Sequence, residues 1–248
     1  MINIKNNQTL QLYQITMNDV FYRIGNYNEN ELFLDSSINN YGQNFTTQHD
    51  YFLDKYFKIV NKLDLPIDFL ISINNGIAIG GDYYIENDIR PAIVQENFVE
   101  LYKITKNEKH QNIIIPIALL NEFIQSFEIP FELFLAGNYL WEKYFEIVRN
   151  KIFPNLPKRK DSIFLFDSIE SCRYYINQHK NGYGDIFQVE LLETKELFKA
   201  DMNIYENINE SITYNDLIKE LFKYWNQDAS ESPIFEYLFQ GKCKLKKI

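Results

Sequence analysis

Hydrophobic and polar positions change period several times along the chain, most sharply at residues 162–179. Ile163 to Phe166 is an unbroken apolar run that ends at Asp167-Ser168, and a helix-like segment, Ile169 to His179, follows. The pattern predicts a strand running into a capped helix, with the rings of Tyr174 and Tyr175 a turn or more in. Upstream, Pro130 to Phe153 is a long amphipathic helix candidate (Phe131, Phe134, Leu135, Tyr139, Leu140, Tyr144, Ile147, Val148), stopped by Pro154 and Pro157. Downstream, Asp185 to Leu192 alternates and reads as a strand, and Tyr214 to Trp225 carries Leu217, Leu221, Phe222 and Trp225 at helical spacing. Trp225 is expected to anchor that helix to the sheet. The tail from Ile234 reads as one or two strands around Gly241. In it Cys243 and Leu245 alternate with Lys242, Lys244 and Lys246, and the lysines are expected to blunt an exposed edge.

The N-terminal half is read more coarsely. Thr9 to Thr16 forms a first strand, Asn18-Asp19 and Gly25-Asn26 mark turns, and residues 27–44 form a loop with a short strand at Glu31–Leu34. Tyr51, Phe52, Tyr56, Ile59 and Val60 predict a helix capped by Thr46 or Thr47 and interrupted at Pro66. Further helices are expected at 92–103 and 113–127. Asn74 to Gly81 bears glycines but no phosphate-loop lysine and no dinucleotide spacing, so it reads as a turn. The fold class is α+β: a strand, a helical block, then a strand-rich final third.

Composition narrows the partners. The 248 residues are 46% hydrophobic and include 18 Tyr and 20 Phe, enough for a large buried core. A net charge of −9 disfavours general affinity for nucleic acid or for an anionic membrane. Cys172 and Cys243 lie far apart and suggest no disulfide framework, and Cys172 reads as buried rather than nucleophilic. His49, His110 and His179 are dispersed, so no metal site is expected. The first residues lack a secretory pattern and no window is apolar enough for a membrane span, so a cytoplasmic location is the simplest expectation.

Three segments carry a resemblance: Leu12-Tyr13-Gln14-Ile15-Thr16, Ser162 to Tyr175, and Phe235-Glu236-Tyr237-Leu238-Phe239. Their order and strand context resemble the ADP-ribosyltransferase superfamily, in its poly-ADP-ribose-polymerase-like branch and related bacterial toxins. Residues 142–166 also resemble an uncharacterised bacterial family thought to share that fold. The resemblance implies a split β-sheet core from residues 1–45 and 154–248, with a mainly helical insertion at 46–153. It implies NAD as co-substrate and transfer of ADP-ribose to a protein or other macromolecular acceptor, with an antitoxin or regulator as a further partner. Delivery into a target cell is the alternative to a cytoplasmic setting.

The resemblance also assigns roles. Glu236 would stabilise the oxocarbenium-like transition state as nicotinamide leaves, and help deprotonate the nucleophile. Tyr175, or Tyr174 if the register differs by one, would stack on the pyridinium ring. Gln14 stands where the branch has His and would hydrogen-bond the adenosine-side ribose, with Thr16 beside it. Arg159, in Pro157-Lys-Arg-Lys160, would grip the pyrophosphate or an acidic substrate. Each has a plainer reading: a solvent-facing Glu236, a core-packed Tyr175, a solvated Gln14, a solvated turn at Arg159. Arg149 reads as a surface or ion-pair residue of its helix. Two other functions stay open: a ligand- or protein-binding domain that keeps the fold without catalysis, and an interaction protein.

Overall fold

The structure is a computed structural model that describes residues 19–44, 90–95, 98–104, 110–116, 136–206, 208 and 212–248. Gln14, Thr16 and the strand read at Thr9–Thr16 lie outside the described residues. So do the helix read from Thr47 and the glycine-bearing turn at 74–81. The chain divides into two compact units, Met1–Asn44 with Phe145–Asn207 and Glu220–Ile248, and Phe45–Tyr144 with Ile208–Lys219.

The first unit is a mixed α+β body whose sheet curls into a small barrel. Its strands are β1 (Phe21–Gly25), β2 (Glu31–Asp35), β6 (Ile163–Phe166), β7 (Asp185–Asp201) and β8 (Phe235–Lys247). β7 pairs with β1 on one side and β8 on the other. β8 pairs on its far side first with β6, at 236–239, and then with β2, at 242–246. A single pairing, Tyr22 with Phe166, joins β1 to β6 and completes the ring. All pairings are antiparallel.

Strand alternation builds the interior. Tyr237, Phe239, Cys243 and Leu245 of β8 share one face and cluster with Phe21, Ile163, Leu165, Phe187 and Leu197. The opposite face carries Lys242, Lys244 and Lys246 at its far end and buried Glu236 and Leu238 at its start. The lysines therefore do not blunt an edge, because β8 has a partner on both sides. They pair instead with acids of the flanking strands, Lys242 with Glu193 at 3.0 Å and Lys244 with Glu31 at 2.9 Å. Where β8 changes partner it needs Gly241: φ is +148°, and a Cβ there would lie 1.9 Å from the Glu193 carbonyl oxygen. Ser36, just past β2, exchanges two 2.9 Å hydrogen bonds with Gly241 at this corner.

The helices are α1 (Ala136–Ile152), α2 (Ile169–His179), the single-turn α3 (Asn203–Glu206) and α4 (Tyr214–Trp225). α2 and α4 have the bounds the sequence predicts. Ser168 caps α2 by accepting the Ser171 N–H at 3.1 Å, and Cys172 and Ile176 pack with Ile24, Phe166 and Met202. Trp225 anchors the end of α4 as expected: its ring lies 5.4 Å from Phe198 of β7, and its Nε1–H donates to the Phe145 carbonyl at 3.0 Å. Arg149 is buried rather than superficial. It makes a bidentate pair with Glu146, both bonds 2.8 Å, and donates to the Pro154 and Leu156 carbonyls, which ties off α1.

In the second unit the described strands are β3 (Arg90–Gln95), β4 (Phe98–Ile104) and β5 (His110–Pro116), which form an antiparallel sheet. This corrects the helix expected at 92–103 and the start of the one expected at 113–127. β1 is likewise a strand in a stretch read only as lying between turns. β7 runs on to Asp201, well past the predicted end at Leu192.

Candidate functional site

The outer face at the start of β8 carries the densest polar chemistry of the described residues. Glu236 sits between Phe166 of β6 and Ala200 of β7. Strand alternation turns it away from the barrel interior, and its side chain is only 2% exposed. A carboxylate there requires a partner. Arg159, brought in by the short turn Arg159–Asp161, donates to Glu236 Oε1 at 2.5 Å, and the Tyr224 hydroxyl of α4 donates to the same oxygen at 2.7 Å. The guanidinium lies among aromatic faces, with its central carbon 4.2 Å from the ring centre of Phe145, 4.7 Å from Phe164, 5.2 Å from Tyr224 and 5.7 Å from Tyr205. Arginine suits such a place, since its planar, weakly hydrated cation can stack and hydrogen-bond together.

A second pair lies beside the first and nearer to solvent. α3 begins where Asp201, at the end of β7, accepts the Asn203 N–H at 2.9 Å. That turn sets Tyr205 against the Arg159 guanidinium and Glu206 against His179. Glu206 Oε1 is 3.0 Å from Nε2 of His179, the last residue of α2, with side chains 13% and 32% exposed. Burial, then the nearby Glu236 charge, pushes the Glu206 carboxyl up to about 7. Burial draws His179 below its ordinary value, with Glu236 opposing. Both groups are thus driven toward their neutral forms. At 3.0 Å a neutral carboxyl and a neutral imidazole can share one proton in a hydrogen bond. Burial also pushes the Tyr205 phenol well above its usual range.

Tyr175 joins this patch. Its ring centre is 4.6 Å from His179 and 5.5 Å from Phe166. Tyr174 and Tyr175 are both partly buried against the cluster under α2, so Tyr175 has packing contacts as well as a place at the polar patch. Of the sequence candidates, the structure therefore gathers Tyr175, Glu236 and Arg159 into one region. Glu236 does not face solvent. Arg159 is 7% exposed and engaged by the chain's own carboxylate, not lying in a solvated turn. Glu206, His179, Tyr205 and Tyr224 were not singled out from sequence. An Asp-x-Asn turn after an apolar strand end, Asp201-Met-Asn203, was the one local signal that could have pointed to α3.

Cys172 is fully buried, and burial, then Asp167 and Glu170, pushes its thiol up to about 12, so it is no nucleophile. Among the described residues no His, Cys, Asp and Glu group suits a metal ion, and no helix is long and apolar enough to cross a membrane. A groove of about 460 Å³ opens at the far end of β8, lined in part by Phe21, Gln188, Lys244 and Lys246, and none of the site residues borders it.

Residues 136–248, which hold every described member of the site, match a family described as "Protein of unknown function (DUF2441)". Among curated proteins no match to the chain is found.

Proposed function

We propose that the chain is an NAD-dependent mono-ADP-ribosyltransferase built on an ADP-ribosyltransferase-like core. It cleaves the bond between nicotinamide and ribose and passes ADP-ribose to a protein or other macromolecular acceptor. A bacterial toxin, effector or phage-defence module is the setting in this reading, with an antitoxin or regulator as further partner. One observation carries it: Tyr175 and Glu236, chosen from distant segments, belong to one patch. Tyr175 lies on His179, His179 on Glu206, and Glu206 feels the charge of Glu236. In this reading Tyr175 stacks on nicotinamide, and the negative field of Glu236, fixed in place by Arg159 and Tyr224, favours the cation that develops on ribose. Gln14 and Thr16 take the adenosine-side ribose.

A second reading, an NAD- or partner-binding domain without turnover, has its own observation. Glu236 Oε1 is already taken by Arg159 and Tyr224. Incubating the purified chain with NAD, and measuring bound NAD and released nicotinamide, separates the two. Transfer predicts release, about tenfold weaker NAD binding in Tyr175→Ala, and release lost in Glu236→Gln. Binding without release selects the second reading, and absence of both ends the proposal.

A further inference from the structure

Among the described residues the His179–Glu206 pair is a titrating couple beside this site that the proposed roles leave unused. It combines three properties. Oε1 and Nε2 are 3.0 Å apart, so one proton can be passed between them. The pair is partly exposed, His179 at 32% and Glu206 at 13%, so it is open to solvent as the buried pair is not. It also adjoins Tyr175, whose ring lies 4.6 Å from that of His179. Glu236 offers none of this access, being 2% exposed with Oε1 engaged. The division of labour is chemical: one carboxylate is fixed and supplies field, while the other can gain and lose a proton.

The geometry points to Glu206 as the general base that takes the acceptor's proton, with His179 positioning it and relaying that proton to solvent. This rests on the transferase reading above. In the step, the acceptor oxygen bonds to the anomeric carbon of the nicotinamide ribose as the carbon–nitrogen bond breaks. The bonding pair returns to the pyridinium nitrogen and nicotinamide leaves neutral. The acceptor's proton goes to Glu206 Oε1, is shared with His179 Nε2, and is lost to water. The groups that face Glu206 are His179 from α2, Glu236 from β8 and Tyr205 of its own turn, and burial followed by the Glu236 charge raises its carboxyl. A base that titrates near neutrality is well matched to this work.

The test uses the full chain with NAD and water as acceptor, following nicotinamide release across pH in the wild type, Glu206→Gln, Glu206→Asp and His179→Gln. The wild-type rate should rise with pH through a midpoint of about 7. Glu206→Gln should fall about 100-fold and lose that rise. Glu206→Asp should recover part of the rate. His179→Gln should move the midpoint and leave KM in place. A Glu206→Gln variant with wild-type rate and profile overturns this assignment and leaves the transferase reading standing. A wild type that neither binds nor cleaves NAD overturns the reading beneath it and the base with it. Without NAD, the His179 ring resonances should respond to the Glu206 titration, and the response should vanish in Glu206→Gln. Identical His179 titration in both proteins overturns the proton-sharing pair whether or not NAD is cleaved.

Discussion

Two acid–base pairs lie side by side in this molecule, and burial makes them different devices. Arg159–Glu236 is closed between barrel and helix, with side chains 7% and 2% exposed, a tyrosine hydroxyl on the same oxygen and aromatic faces around the cation. His179–Glu206 is open at 32% and 13%. Arginine keeps its charge under any ordinary condition, so the closed pair is locked. A carboxyl pushed up to about 7 titrates within the working range of pH, so the open pair can change state. The chain therefore carries one carboxylate held in place by buried partners and another whose charge is a variable.

The largest effect should come from breaking the locked pair. Arg159→Met removes the counter-charge of a carboxylate that is 2% exposed and leaves it the Tyr224 hydroxyl alone, a change that costs about 3–5 kcal/mol in comparable buried pairs. That is a large share of the stability of a typical domain. Urea unfolding of the single variants and of Arg159→Met/Glu236→Leu gives the coupling energy. The double variant should recover most of the loss, because two well-packed apolar side chains replace both charges together. Additive losses would show that the ion pair is not what holds Arg159 in place.

The next effect falls on the scaffold of the open pair. Asp201, 1% exposed, accepts the Asn203 N–H at 2.9 Å, the Ser230 N–H at 2.7 Å and the Ile234 N–H at 2.9 Å. It fixes the turn that bears Glu206 and the loop that leads into β8. Asp201→Ala should cost about 2–3 kcal/mol, since three backbone donors lose a charged acceptor. It should also uncouple His179 from Glu206, which the His179 ring resonances would report.

Smaller still is the pH dependence of the open pair. The Glu206 carboxyl is raised in the fold, from 4.5 to about 7. The folded state therefore binds more protons than the unfolded chain between those values. The stability this group gives is full below the lower value and is lost as pH rises through the upper one. His179 is drawn down from 6.5 and acts with the opposite sign, giving up stability as pH falls below that value. Removing the carboxyl alone should make Glu206→Gln progressively more stable than the wild type from about pH 5 to pH 8. The gain should be about 1–2 kcal/mol once solvent screening of a partly exposed group is allowed for. Denaturation midpoints of the two proteins across that range test it, and parallel curves would mean that Glu206 does not titrate differently in the fold.

What could be read from sequence follows the same division between local and distant causes. α2 and α4 were legible to the residue because their signals are local: a Ser168 cap, apolar residues at helical spacing, and a Trp225 stop against the sheet. The start of β7 was legible through alternation, but its continuation was hidden because Glu193, Thr194 and Lys195 are exposed and look like a loop. β3 and β4 were misread because Ile93, Val94, Val99 and Leu101 fit helical as well as strand spacing over so short a stretch, and strand partners are supplied by distant sequence. The site divides likewise. Tyr175 and Glu236 were found through motifs, while Glu206, His179 and Tyr224 become neighbours only through the packing of helices on the closed barrel. Arg159 was found for its charge, yet nothing in Pro157-Lys-Arg-Lys160 says which of the three cations is drawn inside.

A third pair sets the floor of the comparison. Lys242 and Glu193 are 3.0 Å apart across β8 and β7, with side chains 52% and 46% exposed. By distance alone it resembles the His179–Glu206 contact, and by formal charge it resembles Arg159–Glu236. Water solvates both of its partners in either state of the fold, and the long lysine loses rotamer freedom when the pair forms, so the two terms nearly cancel. Lys242→Met should leave the urea midpoint unchanged within measurement error and insensitive to added salt. Its position makes the prediction demanding, because Lys242 follows Gly241, where β8 exchanges β6 for β2. If the substitution shifted the midpoint as much as Glu206→Gln does, burial would not be what grades these pairs, and the barrel corner would be drawing stability from its surface charges.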